Sequence, residues 1–163
     1  MSHRMRLMGQ QTIAKSQQCK CCKKSQGNDK SHGRRLPDFH DVTGNVIVIT
    51  GGASGLGRRM SQILAVEKGA KLIVIDIDSK GAEGTTRSIL DGGGQAKAYH
   101  CDIRDEHEME RIAHRIHEDY GKVDIVLCNA AVLSFAPFME LTTRELLQSL
   151  EVNVIGTINA LYH

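Results

Sequence analysis

The segment that most constrains this chain is Thr50-Gly51-Gly52-Ala53-Ser54-Gly55-Leu56-Gly57, set between a β-branched run and an amphipathic stretch. Val46-Ile47-Val48-Ile49-Thr50 is apolar almost throughout, the mark of a strand buried on both faces. Leu56, Met60, Ile63 and Leu64 then recur at helical spacing until Gly69 ends the segment. A strand that passes straight into a helix leaves the helix's first N–H groups and their partial positive charge facing outward. Glycine's wide φ/ψ range permits the turn, and its missing Cβ lets an anion approach the backbone. Such a turn suits a pyrophosphate.

The alternation continues down the chain. Leu72-Ile73-Val74-Ile75 predicts a second buried strand ending at Asp76, and a helix follows from about Ser79 to Leu90, stopped by Asp91-Gly92-Gly93-Gly94. Ala96 to Cys101 predicts a third strand. Over Asp105 to Tyr120, Met109, Ile112, Ala113, Ile116 and Tyr120 form one apolar stripe on an otherwise charged helix. Val123 to Cys128 predicts the fourth strand. Thr142 and Glu145 stand as a capping box opening a last helix through Leu146, Leu150, Val154 and beyond.

Strands too apolar to face water, alternating with helices, require a parallel sheet covered on both sides. Right-handed crossovers give the strand order 3-2-1-4, with a ligand crevice beyond the carboxyl ends of strands 1 and 4. Asp76 lies about twenty residues past the glycine loop, where a carboxylate accepts hydrogen bonds from ribose hydroxyls. A 2′-phosphate there would meet a like charge, so the pattern predicts NAD in preference to NADP.

Charge divides the chain. Residues 1–36 hold nine basic side chains and one acid, Asp29, whereas the remainder carries a net charge of −6. With no sustained periodicity, 1–36 reads as a flexible basic arm and 37–163 as the globular domain. Cys19, Cys21 and Cys22 in that arm lack zinc-ligand spacing; acylation beside the basic patch is the route by which it could reach a membrane. Nucleic acid is disfavoured as a partner, because no aromatics are interleaved with the basic residues. No stretch approaches the roughly 18 apolar residues that span a bilayer, and no secretory signal is legible. Five cysteines fit a reducing compartment, and the expected location is cytoplasmic. His107, His114 and His117 read as surface residues of the third helix, and no metal is expected.

Taken together, these motifs resemble the short-chain dehydrogenases/reductases. Thr-Gly-x-x-x-Gly-x-Gly, here Thr50 to Gly57, is similar to that family's cofactor signature. Cys101-Asp102-Ile103 resembles the segment whose Asp contacts adenine, Cys128-Asn129-Ala130-Ala131 the family's Asn-Asn-Ala-Gly motif, and Glu151-Val152-Asn153-Val154 the segment whose Asn supports the proton relay. The resemblance covers about residues 42–163. It implies a Rossmann-type α/β domain, an open parallel sheet with helices on both faces whose C-terminal strands are missing from this chain. It places NAD against Gly51, Ser54, Gly55, Leu56, Gly57, Asp76, Asp102, Asn129 and Ala130, and assigns the catalytic-site role to Asn153.

Within the family the wording is most similar to the retinol dehydrogenase and 17β-hydroxysteroid dehydrogenase branch. That implies an oxidoreductase acting on a lipophilic alcohol or carbonyl, with the endoplasmic reticulum or lipid-droplet surface as the alternative location. Two departures are local: Cys128 and Ala131 replace the family's Asn and Gly. A third is an absence, since the family's catalytic Ser and Tyr-x-x-x-Lys are not found among these 163 residues. The expectation is a truncated, inactive cofactor-binding half, the alternative a non-catalytic NAD-binding or regulatory subunit. Strand 4, left at a sheet edge, further predicts pairing with a second copy, a homo-oligomer.

Overall fold

The computed structural model describes residues 41–163. The basic arm over 1–36, with its cysteines, and residues 37–40 at the expected start of the domain lie outside that range.

Strand β1 spans Val46–Thr50 and feeds helix α1, Gly55–Gln62, which runs on through a π-helical turn at Ile63–Glu67. Strand β2 (Lys71–Asp76), helix α2 (Ser79–Asp91), strand β3 (Gln95–His100) and helix α3 (Glu106–Tyr120) follow. Strand β4 is Ile125–Cys128. The chain closes with helix α4 (Thr143–Leu150), a second π-helical turn (Glu151–Gly156) and helix α5 (Thr157–Tyr162). All pairings are parallel in the order β3-β2-β1-β4, as the crossover rule requires. Thr50 pairs with both Ile75 and Cys128, so β4 ends level with β1 and β2 runs one residue further, to Asp76.

Alternation along β1 sorts the core into two layers. Val46 and Val48 pack with Ile73, Ile75 and the α3 residues Met109, Ile112 and Ile116. Ile47 and Ile49 pack on the opposite face with Leu72, Val74, Ala65, Ala82 and Ile89, beneath α1 and α2. Removing side chains of this size from water stabilises the sheet by about 1.5–3 kcal/mol each.

Three boundaries or faces differ from expectation. The buried face of α1 is Gly57 and Ser61, continued by Ala65, while Leu56 is 68% exposed at the start of the helix. Small residues win that face because the helix must lie close to the loop that precedes it. Strand β4 begins at Ile125 and not at Val123, since the Asp124 carboxylate takes the N–H of Val46 (2.8 Å) while its own N–H bonds the Val46 carbonyl. Strand β3 is displaced by one residue, Cys101 instead bonding its N–H to the Asp76 carbonyl beyond the strand's end.

The capping box forms as expected. Thr142 Oγ1 accepts from the Glu145 N–H at 3.3 Å, and Glu145 Oε2 accepts from the Thr142 N–H at 2.8 Å. His107, His114 and His117 are exposed on α3, and among the described residues no three metal-ligating side chains gather. No described helix is long and apolar enough to cross a membrane.

Candidate functional site

The site is built around the last residue of β1. Thr50 is 1% exposed, and its hydroxyl oxygen accepts from the N–H groups of Asn129 and Ala130, both at 3.2 Å. Asn129 answers with its side chain, Nδ2 donating to the Gly51 carbonyl at 2.9 Å and the Thr50 carbonyl at 3.2 Å. The glycine loop is thus tied to the end of β4 by four bonds across 78 to 80 residues of sequence. Gly51 has φ +69, and a Cβ there would stand 2.6 Å from the Ala130 Cα, so both its conformation and its spacing demand glycine.

Behind the loop, Thr85 reaches over from α2. Its fully buried hydroxyl donates to the Gly52 carbonyl at 2.9 Å and accepts from Arg58 Nε at 3.1 Å. Arg58 Nη2 also donates to the Ala53 carbonyl. In front, Asp76 closes the loop from the end of β2. One carboxylate oxygen accepts from the Ala53 N–H at 2.8 Å and the other from the Asp78 N–H at 2.9 Å. Both oxygens keep acceptor capacity beyond these bonds.

The N-terminus of α1 is left open. Helices α2, α3 and α4 are each capped by a side chain, from Asp78, Asp105 and Thr142, whereas Ser54 at the N-cap of α1 makes no such bond. Its hydroxyl and the first N–H groups of the helix border a cleft of about 440 Å³. At Gly55, with φ +49, a Cβ would meet nothing within 4 Å; the space in front of the helix is open.

The cleft brings together all nine residues expected to hold the cofactor. Gly51, Ser54, Gly55, Leu56 and Gly57 form one wall, Asp76 and Asp102 the acidic end, and Asn129 and Ala130 the floor. Asn153 is not part of the lining. Its amide grips the backbone of Val132, Oδ1 accepting from the N–H and Nδ2 donating to the carbonyl, both at 2.9 Å. Asn153 sits within the second π-helical turn, and through Val132 it sets the course of the cleft wall after β4.

Several contributors left no mark in the sequence. Thr85 and Arg58 read as ordinary helix residues, because their partners are 33 and 27 positions away. Ile77, exposed beside Asp76, and Arg104, next to Asp102, also line the cleft; adjacency to a named acid was the available signal for both. The Arg104 guanidinium holds the Asp102 carboxyl below its ordinary value of 3.8. Burial, reinforced by Glu108, Asp102 and Asp105, pushes the Cys101 thiol at the cleft's edge up to about 12. The loop carrying these residues is held by α5, where Asn159 Nδ2 donates to the Ile103 carbonyl at 2.9 Å.

Comparison with known proteins agrees with this fold. The profile of the family described as short chain dehydrogenase matches residues 45–163. Short-chain dehydrogenase reductase 3b of Arabidopsis thaliana is 35% identical over 123 residues, 75% of this chain and 47% of the relative. D-threitol dehydrogenase of Mycolicibacterium smegmatis is 30% identical over 74% of this chain and 45% of its own length. Among solved structures, the hydroxysteroid dehydrogenase from Escherichia coli superimposes with a TM-score of 0.68 at 31% identity, covering 74% of this chain and 50% of that one. An NAD+-bound xylitol dehydrogenase gives 0.71 at 25% identity, covering 74% and 46%. The chain spans about half the length of the curated relatives it matches.

Proposed function

The chain belongs to the short-chain dehydrogenase family, and on that premise we propose that its cleft binds NAD as the cofactor-holding half of an oxidoreductase for a lipophilic alcohol or carbonyl. The observation that carries the reading is the open N-terminus of α1 facing the same cleft as the Asp76 carboxylate. The residues present fit a dinucleotide. Uncapped N–H groups and the Ser54 hydroxyl suit a pyrophosphate, and Gly55 leaves it room. Asp76, braced by Ala53 and Asp78, would accept from the adenosine ribose hydroxyls.

When bound, NAD supplies the hydride acceptor or donor at its nicotinamide. The chain's own residues orient it. Asn129 and Thr50 fix the glycine loop against β4, and Asn153 fixes Val132, so loop and wall keep a set separation. Beyond Ala130 the lining runs through Ala131, Val132, Gln148 and Val152, a wall with one polar side chain among apolar ones, which supports a lipophilic substrate over a polyol. Proton transfer to the substrate oxygen is assigned by the resemblance to a Ser and a Tyr-x-x-x-Lys pair, and these 163 residues contain no such pair. The role proposed for the described residues is therefore to hold and orient the cofactor. Strand β4 at the sheet edge, with Leu150 of α4 and Ile158 and Leu161 of α5 exposed, supports self-association, which light scattering would register as a mass above the monomer's.

The test is calorimetric titration of the 163-residue chain with NAD and NADP. Placing a 2′-phosphate near 4 Å from the Asp76 carboxylate costs on the order of 4 kcal/mol at an effective dielectric of about 20. NAD should bind measurably and NADP far more weakly, and Asp76→Ala should narrow the gap. Equal affinities in the unmutated chain would refute the NAD reading. Binding of a hydroxysteroid or retinol to the NAD-loaded chain, with none of xylitol, is the outcome expected for the substrate class.

A further inference from the structure

Strand β3 closes the sheet on the side away from β4, with no strand beyond it among the described residues. The N–H of Cys101, just past its end, turns inward to the Asp76 carbonyl of β2. Backbone groups alternate along a strand, so Gln95, Lys97 and Tyr99 also turn inward, and the N–H and C=O of Ala96, Ala98 and His100 face outward. A lysine on an edge strand commonly wards off pairing. Here Lys97 is drawn away from the edge by the Asp119 carboxylate of α3. Over the other face of β3 lies a groove of about 350 Å³, lined by Glu83, Thr86, Arg87 and Leu90 of α2 above Ala96 and Ala98 of the strand. Steps of three and four place those four side chains on one stripe of the helix. The stripe is unfinished. Thr86 Oγ1 is the one buried side-chain polar atom without a hydrogen-bond partner among the described residues, and Leu90 is 51% exposed. Neither Glu83 nor Arg87 enters an ion pair among those residues.

We propose that a second copy of this chain docks here about a twofold axis through the groove, β3 pairing antiparallel with its counterpart so that one sheet continues across both copies. The small side chains of Ala96 and Ala98 leave the edge open to such an approach. With Ala98 on the axis, the outward N–H and C=O of each Ala98 bond those of the other, and Lys97 falls opposite the partner's Tyr99. A register centred on Lys97 would oppose two ammonium groups, which selects the Ala98 register. Across the same axis the two α2 stripes run antiparallel. Arg87 then meets the partner's Glu83, and the Thr86 hydroxyl, close to the axis, gains the polar neighbours it lacks in the single chain. A stripe that carries both signs on either side of its midpoint complements itself, and this selects a second copy over an unrelated partner. The surface is separate from the cleft and from the β4 edge, and the inference does not rest on the dinucleotide reading.

The experiment is sedimentation equilibrium on the 163-residue chain and four variants, with circular dichroism to confirm folding. The unmutated chain should form a dimer, or a tetramer where the β4 edge associates as well. Glu83→Arg and Arg87→Glu each set like charges across the axis twice, and each should raise the dissociation constant of this interface by about tenfold. The double variant Glu83→Arg with Arg87→Glu restores opposite charges and should recover association. Ala98→Pro removes an outward N–H while sparing the ladder to β2, and should halve the mass. If Ala98→Pro does not fold, the charge swap decides alone. A folded Ala98→Pro of undiminished mass overturns the pairing of β3 edges. Single charge variants that associate like the unmutated chain, or a double variant no better than the singles, overturn the contact between the α2 stripes. An unmutated chain that stays monomeric overturns the proposal outright.

Discussion

Two glycines of one motif should respond to the same substitution for different reasons. At Gly57 an added Cβ would fall well inside contact with the Gly51 carbonyl oxygen and 2.6 Å from Asn129 Nδ2. Neither neighbour is a flexible side-chain end: one is backbone, and the other is the amide that bonds that same carbonyl at 2.9 Å. Gly57→Ala must push α1 away from the loop and break the Asn129 bond. Overpacking costs about 2 kcal/mol and the stranded polar pair about 2 more, while alanine's better helix propensity returns up to about 1, for a net near 3 kcal/mol. At roughly 4 °C per kcal/mol for a domain of this size, the melting temperature should fall by about 12 °C. At Gly55 the space is open and the cost is conformational: φ +49 is left-handed, worth about 1–2 kcal/mol for alanine, or roughly 4–8 °C. Gly55→Asn should recover part of that loss, because asparagine tolerates the left-handed region; Gly57→Asn should be worse than Gly57→Ala. Thermal melting followed by circular dichroism on the full chain decides it. A Gly57→Ala melt within about 3 °C of the unmutated chain, or a larger loss at Gly55 than at Gly57, would refute the steric argument.

Three further outcomes are expected. Thr85→Val keeps the shape but strands the buried Gly52 carbonyl and Arg58 Nε, so the melting temperature should drop by about 4–8 °C; no change would show the brace to be idle. Since Arg104 holds the folded Asp102 carboxyl below 3.8, the stability from that pair is fully present above about pH 4 and is lost as pH falls through the folded value. The difference in melting temperature between the unmutated chain and Arg104→Ala should therefore be full at neutral pH and shrink on acidification, and a gap that widens in acid would contradict this. Alkylation at pH 8, mapped by peptide mass, should modify exposed Cys128 in the native state and leave Cys101, 1% exposed and pushed up to about 12, until the protein unfolds.

The elements that sequence determined are those whose signals are local. The runs Val46–Thr50 and Lys71–Asp76 are strands because continuous β-branched segments can only be satisfied inside a parallel sheet, and the order β3-β2-β1-β4 then follows from the handedness of crossovers. The Thr142–Glu145 cap and the glycine turn before α1 are likewise contained within a few residues, as was the association of Asp76 with that turn. Tertiary structure decided what depends on how closely those elements dock. Helical spacing marked Leu56 for the core, yet the approach of α1 to its own loop admits only Gly57 and Ser61 there, and Leu56 turns to the cleft. The π-helical turn that carries Asn153 to Val132, and Gly156 against Ile103, has no period of its own to read. Thr85 beneath Gly52 and Arg104 across Asp102 belong to the same class. A hydroxyl or a guanidinium is polar in any sequence, and only packing around a buried carbonyl or a cleft carboxylate gives it a fixed partner and a task.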